Sequence, residues 1–166
     1  MTWTNWHFPR AAAELAANEI GFGNYSGSAT QGFVSLAQTR SISTSYGTYV
    51  REETNSVLFT DFGFAAVQPQ GIQLRLRTRR QARIQDKVIQ LWDGARAISE
   101  NQQNLSAEDE QLYGDSDNVW GVPAAVNIPV DSVNFGVIID LQPHTEIPCA
   151  DLVYIRSVAM RLYLPE

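Results

Sequence analysis

The chain has 166 residues, 44% of them hydrophobic and 18% charged, which suits one domain with a sizeable core and excludes global disorder. A formal charge of −6 argues against non-specific nucleic-acid binding by the whole surface, and the single cysteine, Cys149, excludes an internal disulfide or a thiolate metal cluster. No stretch reaches the roughly 18 apolar residues of a membrane-spanning helix, and Met1 to Arg10 lacks the basic-then-apolar layout of a secretory signal, so folding in a bacterial-type cytoplasm is expected.

In chain order, Trp3, Trp6, Phe8 and Phe22 are large apolar groups that need burial. Residues Arg10 to Ile20 are alanine-rich and could form a short helix with Pro9 near its first turn. Gly21, Gly23, Ser26, Gly27 and Ser28 then break regular structure. Residues 1–27 therefore read as an N-terminal arm, packed on its own domain or on a neighbouring subunit. Residues 28–166 read as the main domain.

Strand patterns follow. Phe33–Leu36 and Tyr46–Val50 are short candidates, and Ser56–Phe64 is rich in β-formers. Gly71–Arg80 alternates strictly, with Ile72, Leu74 and Leu76 on one side and Arg75, Arg77 and Arg79 on the other. Val88–Trp92 and Ala95–Ile98 flank Asp93-Gly94, a hairpin pattern of the type that uses a tight turn with positive φ at both central residues. Ser99–Asn118 is polar and acidic and reads as a long loop. Ala124–Ile128 could be a short strand, and Asn134–Leu141 is a clear one. In Asp151–Leu164 the apolar phase changes near Arg156, which predicts a bulge at Arg156-Ser157. Eight or nine strands without a long helix predict an all-β fold. The long connections favour a single antiparallel, jelly-roll-like β-sandwich over an up-and-down barrel.

Arg75, Arg77, Arg79, Arg80, Arg83 and Lys87 are six of the twelve cations, gathered in one stretch of an acidic chain. Arginine favours planar, bidentate contacts. The strip either pairs with acids within the fold or on a solvated face, or docks an acidic partner; polyanion binding is the remaining alternative.

No catalytic constellation assembles. His144, after Pro143, has no visible nucleophile or orienting acid, and His7 between Trp6 and Phe8 reads as the cap of an aromatic cluster. No glycine-rich phosphate loop precedes a helix. Asp109, Glu110, Asp115 and Asp117 could supply a carboxylate pair, but spacing selects none. Asp115 and Asp117 could ligate calcium without the full spacing of a calcium loop, and Trp120 could stack on a sugar beside them. No cofactor or resident metal is expected.

The order of several short motifs resembles a family of tailed-bacteriophage structural proteins with a β-sandwich domain. The motifs are Asn5–Pro9, Phe62-Gly-Phe64, Gly71–Leu76, Val88–Gly94, Tyr113–Gly121, Asn134–Val137 and the strand from Asp151. The resemblance implies architectural roles: Asp117 and Asn118 folding the turn before Trp120, Trp120 plugging the end of the sandwich, Gly121 turning the chain, and Gly136 packing against that ring. It also implies a non-enzymatic virion building block, on the capsid as a cement protein or on the tail as an accessory or fibre-anchoring protein. Its partners would be the major capsid protein or tail proteins and further copies of itself, a trimer among the cyclic assemblies, with no specific nucleic acid and no membrane. Trp3, Trp6, Phe8, Arg75, Arg77 and Arg79 are the expected interface residues. The alternative is a carbohydrate-binding module that uses Trp120 with Asp115 and Asp117.

Overall fold

A computed structural model describes residues 1–14, 36–43, 57–80, 84–104, 110–143 and 150–166. Among them are nine strands and no helix: β1 (Thr2–Trp3), β2 (Ala11–Glu14), β3 (Leu36–Ser43), β4 (Val57–Thr60), β5 (Gly71–Arg80), β6 (Ile84–Trp92), β7 (Glu110–Tyr113), β8 (Gly136–Pro143) and β9 (Ala150–Leu164). They form two antiparallel sheets. One runs β1-β9-β5-β7, with β3 also on β9; the other runs β2-β4-β8-β6. Odd-numbered strands lie in the first sheet and even-numbered strands in the second. Among the described strands the chain therefore changes sheet from each to the next, and none is paired with the one that follows it.

Alternation explains why the sheets close on each other. Ile72, Leu74 and Leu76 of β5 and Val158, Met160 and Leu162 of β9 point inward from the first sheet. Val57 and Phe59 of β4, Ile89 and Leu91 of β6, and Val137, Ile139 and Leu141 of β8 meet them from the second, in one buried cluster. Each such side chain stabilises the fold by about 1.5–3 kcal/mol relative to exposure. The arrangement is sandwich-like, with Trp120, Val122, Ile128, Val130 and Phe135 filling its end from the loop before β8.

The bulge expected in β9 is present. Arg77 pairs with Ser157 and Thr78 with Ile155, so β9 advances two residues where β5 advances one, and Arg156 is the extra residue. The shift moves inward-facing duty from Val158 to Ile155, and both are buried.

Four local expectations differ from the structure. Ala11–Glu14 is a strand paired with β4 rather than the start of a helix, so the first fourteen residues are built into both sheets in cis. The Asp93-Gly94 turn is not of the expected two-residue type. The closing bridge is Trp92–Ala97, only Gly94 among residues 93–96 has positive φ, and Asp93 Oδ1 accepts the N–H groups of Ala95 and Arg96. The acidic stretch after Ser99 contains β7, paired with β5. Residues Ala124–Ile128 form turns instead of a strand, with Val126 N donating to Pro123 O. The candidates Phe33–Val34–Ser35 and Tyr46–Val50, residues 15–27 of the arm with its boundary, His144 and Cys149 lie outside the described residues.

The free side of β6 is covered by the segment that follows it. Ile98 N and Gln102 N donate to Leu91 O and Ile89 O, while Leu91 N and Ile89 N donate to Ser99 Oγ and Asn101 Oδ1. Two side chains replace backbone acceptors there, so the segment satisfies the edge without becoming a regular strand. A sealed edge removes a template for aggregation.

Candidate functional site

The outer face of the first sheet gathers the residues best placed to contact another molecule. Gln73, Arg75 and Arg77 point outward from β5, opposite the buried side that carries Ile72, Leu74 and Leu76. On β9, Arg161 lies opposite Gln73 and Ala159 opposite Arg75. Arg161 Nε and Nη2 both donate to Gln73 Oε1, at 3.0 and 2.7 Å, and Gln73 Nε2 donates to Gly114 O at 3.2 Å. This chain of bonds holds the Arg161 guanidinium in one plane.

The N-terminal segment then lays two indoles across it. Trp3 pairs with Tyr163, and pairing resumes at His7–Met160. Four steps along the N-terminal segment thus match three along β9, which releases one residue from the ladder, as in a bulge. His7 locks the resumed register: its N–H and C=O bond Met160 at 2.8 Å each, and its Nδ1 donates to Phe62 O at 3.0 Å. The His7 ring also packs 4.3 Å from Phe64, consistent with a cap on an aromatic cluster. Between these anchors Trp6 lies over the sheet. Arg161 Cζ is 4.4 Å from the centre of the Trp3 ring and 4.5 Å from Trp6, and Arg75 Cζ is 4.6 Å from Trp6. Tyr163 extends the row, 5.0 Å from Trp3. The result is an alternating row, Tyr163–Trp3–Arg161–Trp6–Arg75. Each cation–aromatic contact contributes about 0.5–1 kcal/mol where exposed and more where dry. All five side chains are half-buried, and Ala159, on the same side, has no exposed surface.

The three expected arginines therefore do not form one uniform strip. Arg75 is stacked, and its Nε is enclosed without a hydrogen-bond partner among the described residues. Burial, and then the charge of Arg77, push its pKa below the ordinary arginine value, with Glu110 opposing and Arg161 adding a smaller push. The guanidinium still stays cationic at neutral pH. Arg77 is exposed and paired with Glu110 across the β5–β7 register. Arg79 lies in β5 opposite Tyr154, but its side chain is outside the described residues. Phe8 is half-buried. Leu112, opposite Arg75 on β7, is 54% exposed.

Sequence reasoning missed Arg161, Gln73 and Leu112. Arg161 sits between Met160 and Leu162, both inward, so alternation alone assigns it to the outer face. Only the β5–β9 register brings it beside Arg75.

Trp120 occupies a different place from the one a sugar platform needs. Its ring is fully buried, its Nε1–H donates to Ile72 O at 3.0 Å, and its N–H donates to Asn118 Oδ1 at 2.6 Å. The residue adopts φ 59, and Gly121 follows at φ 72, so the chain reverses sharply around the plug. Asn118 folds the turn, while Asp117 N donates to Asp115 Oδ1. The glycine that makes room for the indole is Gly114, where a Cβ would collide with Trp120 Nε1 and Ile72 O. Gly136 instead lies against the backbone of Phe59. Asp115 and Asp117 are exposed at the loop, whereas Trp120 presents no face to solvent.

Two carboxylates are buried elsewhere. Asp86 accepts from Tyr113 OH at 2.7 Å and from Asn104 N at 3.0 Å, and Asp140 lies 3.4 Å from Lys87 Nζ. Both are satisfied structural groups. A groove of about 280 Å³ between Arg96–Ile98 and Pro123 and Val126 has one charged lining residue and no acid–base pair. Among the described residues, no group of three or more His, Cys, Asp and Glu side chains stands where it could hold a metal ion. Comparison with protein-family models, curated proteins and solved structures finds no match.

Proposed function

We propose that this protein is a non-enzymatic building block of a tailed-bacteriophage particle. In this reading it decorates or stabilises the capsid, or attaches to the tail as an accessory or fibre anchor, and it works through repeated protein–protein contacts. The observation that carries the interface role is the row Tyr163–Trp3–Arg161–Trp6–Arg75. Tyrosine, tryptophan and arginine are the residue types that dominate protein interfaces. Here they already pack against one another, and such preorganisation lowers the entropy lost on docking. The particle assignment draws on the order of motifs shared with the phage family.

The same reading takes the fold as a jelly roll. Its support is the connection order: β3-β9-β5-β7 in one sheet and β4-β8-β6 in the other, with residues 97–104 completing the second sheet beside β6. Apart from the short N-terminal strands β1 and β2, that is two four-stranded sheets, and among the described residues the chain changes sheet at every connection except the one from β6 to residues 97–104. The N-terminal residues then act as a strap across the outer face. Many copies with modest interfaces accumulate avidity on a repeating lattice, and a closed cyclic homo-oligomer would present several rows at once.

The sugar-binding alternative loses its platform with Trp120 enclosed. The test is direct: purified particles should contain the protein at many copies, located by electron microscopy or by antibody labelling. Its absence from particles would remove the assignment.

A further inference from the structure

We propose that the Trp3–Arg161–Trp6–Arg75 row is a receptor for a carboxylate-rich segment of another protein, with Arg161 and Arg75 as the paired anchors; this deepens the building-block reading and rests on it for the partner's setting. The chain holds eighteen acidic residues against twelve basic ones. Yet neither Arg75 nor Arg161 forms an ion pair among the described residues, whereas Arg10, Arg77, Lys87 and Arg96 all do. Two half-buried guanidiniums on the same indole, neither in an ion pair among the described residues, repel each other and gain from a shared anionic partner.

The stacking decides what that partner must look like. Arg161 lies against two indoles and Arg75 against one, so the indoles take up contact area on the guanidiniums and what remains for a partner is their N–H groups. Gln73 occupies the Nε and Nη2 of Arg161, which leaves the Nη1 edge. In-plane N–H donors match the two oxygens of a carboxylate. The surroundings are apolar: the edges of Trp3 and Trp6, and Leu112, which is 54% exposed opposite Arg75. An acidic strand or loop with interspersed aliphatic residues fits this surface. A nucleic acid fits it less well, because a phosphate backbone needs an extended basic track and this face offers two cations outside an ion pair, Arg77 being paired with Glu110.

The test uses the intact protein and a labelled, end-capped peptide of alternating Glu and Leu, followed by fluorescence anisotropy at low ionic strength. Saturable binding is expected. It should weaken with added salt and fall by about tenfold or more in the Arg75→Gln/Arg161→Gln variant. Arg96→Gln, at an exposed turn, should leave it unchanged. If the double variant does not fold, Arg161→Lys keeps the charge but loses the planar fork, and several-fold weaker binding is expected. Equal affinity in a folded double variant or in Arg161→Lys, no binding of the peptide, or tighter binding of a single-stranded oligonucleotide of equal length would each overturn the proposal. Particle attachment separates the two ideas. Wild-type protein missing from particles removes the building-block reading and leaves the peptide result standing. A double variant that attaches like wild type removes the acidic-partner receptor alone.

Discussion

Replacing Trp120 by alanine tests whether the end of the sandwich is closed as described. The indole is fully buried. A tryptophan of this kind buries about 150–250 Å², which at about 25 cal/mol per Å² corresponds to roughly 4–6 kcal/mol. A compact unfolded state already hides part of that area, so the figure is an upper bound. The hydrogen bond to Ile72 O adds about 1 kcal/mol, and partial collapse of the neighbouring loop returns some of the loss. The expected destabilisation is about 4 kcal/mol, within the range of about 3–5 for aromatic truncations. In urea unfolding followed by far-UV circular dichroism, a slope of about 2 kcal/mol per M turns this into a midpoint lowered by about 2 M. A second substitution isolates the backbone contribution. Residue 120 sits at φ 59, where a Cβ is strained and glycine is not. Trp120→Gly should therefore be more stable than Trp120→Ala by about 1 kcal/mol, the reverse of the usual order in a strand or helix. An alanine variant within about 1 kcal/mol of wild type would refute the enclosed plug. A glycine variant less stable than the alanine one would refute the left-handed turn.

Gly114→Ala should be severe, because its Cβ would meet the Trp120 ring and the Ile72 carbonyl at φ 77; a loss of about 2–4 kcal/mol by urea unfolding is expected, and a neutral result would contradict the packing. The Arg77–Glu110 pair is exposed on both sides, so a double-mutant cycle to alanine should give a coupling of about 0.5 kcal/mol or less, vanishing in high salt; coupling well above 1 kcal/mol would mean that the face is drier than described. Asp93 accepts the backbone N–H groups of Ala95 and Arg96, which lowers its pKa below the ordinary 3.8. Its contribution is therefore fully present above the unfolded value and is lost as pH falls through the lower folded value. A carboxyl titration by NMR should place Asp93 below 3.8, and Asp93→Ala, which removes the acceptor, should loosen the turn at every pH.

Several elements were legible because their residues obey one period. Gly71–Leu76 alternates cleanly, Asn134–Leu141 carries Phe135, Val137, Ile139 and Leu141 at every second position, and both lie in strands over most of their length. The change of phase at Arg156 was legible for the same reason, since a period of two exposes a single inserted residue. Other elements were hidden by local misdirection. Ala11–Glu14 has the composition of a helix, but its neighbour is β4, and ladder pairing outweighs a propensity difference of under about 1 kcal/mol per residue. In β7 the usual polarity is inverted: Gln111 is buried and Leu112 exposed, so the strand reads as loop. Trp120 lies in a non-repeating segment, where no period tells inside from outside.

Alternation is a property of consecutive φ and ψ angles, and it travels with the sequence. From it alone came an all-β chain, the inward and outward sides of its main strands, and the position of the bulge. Which strands become neighbours is a different kind of information, because no described strand pairs with the described strand that follows it. Only the folded chain brings Trp6, Arg75 and Arg161 together, three residues on three separate segments whose meeting depends on two registers and one extra residue before His7. The cation–aromatic row is thus a product of long-range pairing, and it exists only once the strands that carry it are in register.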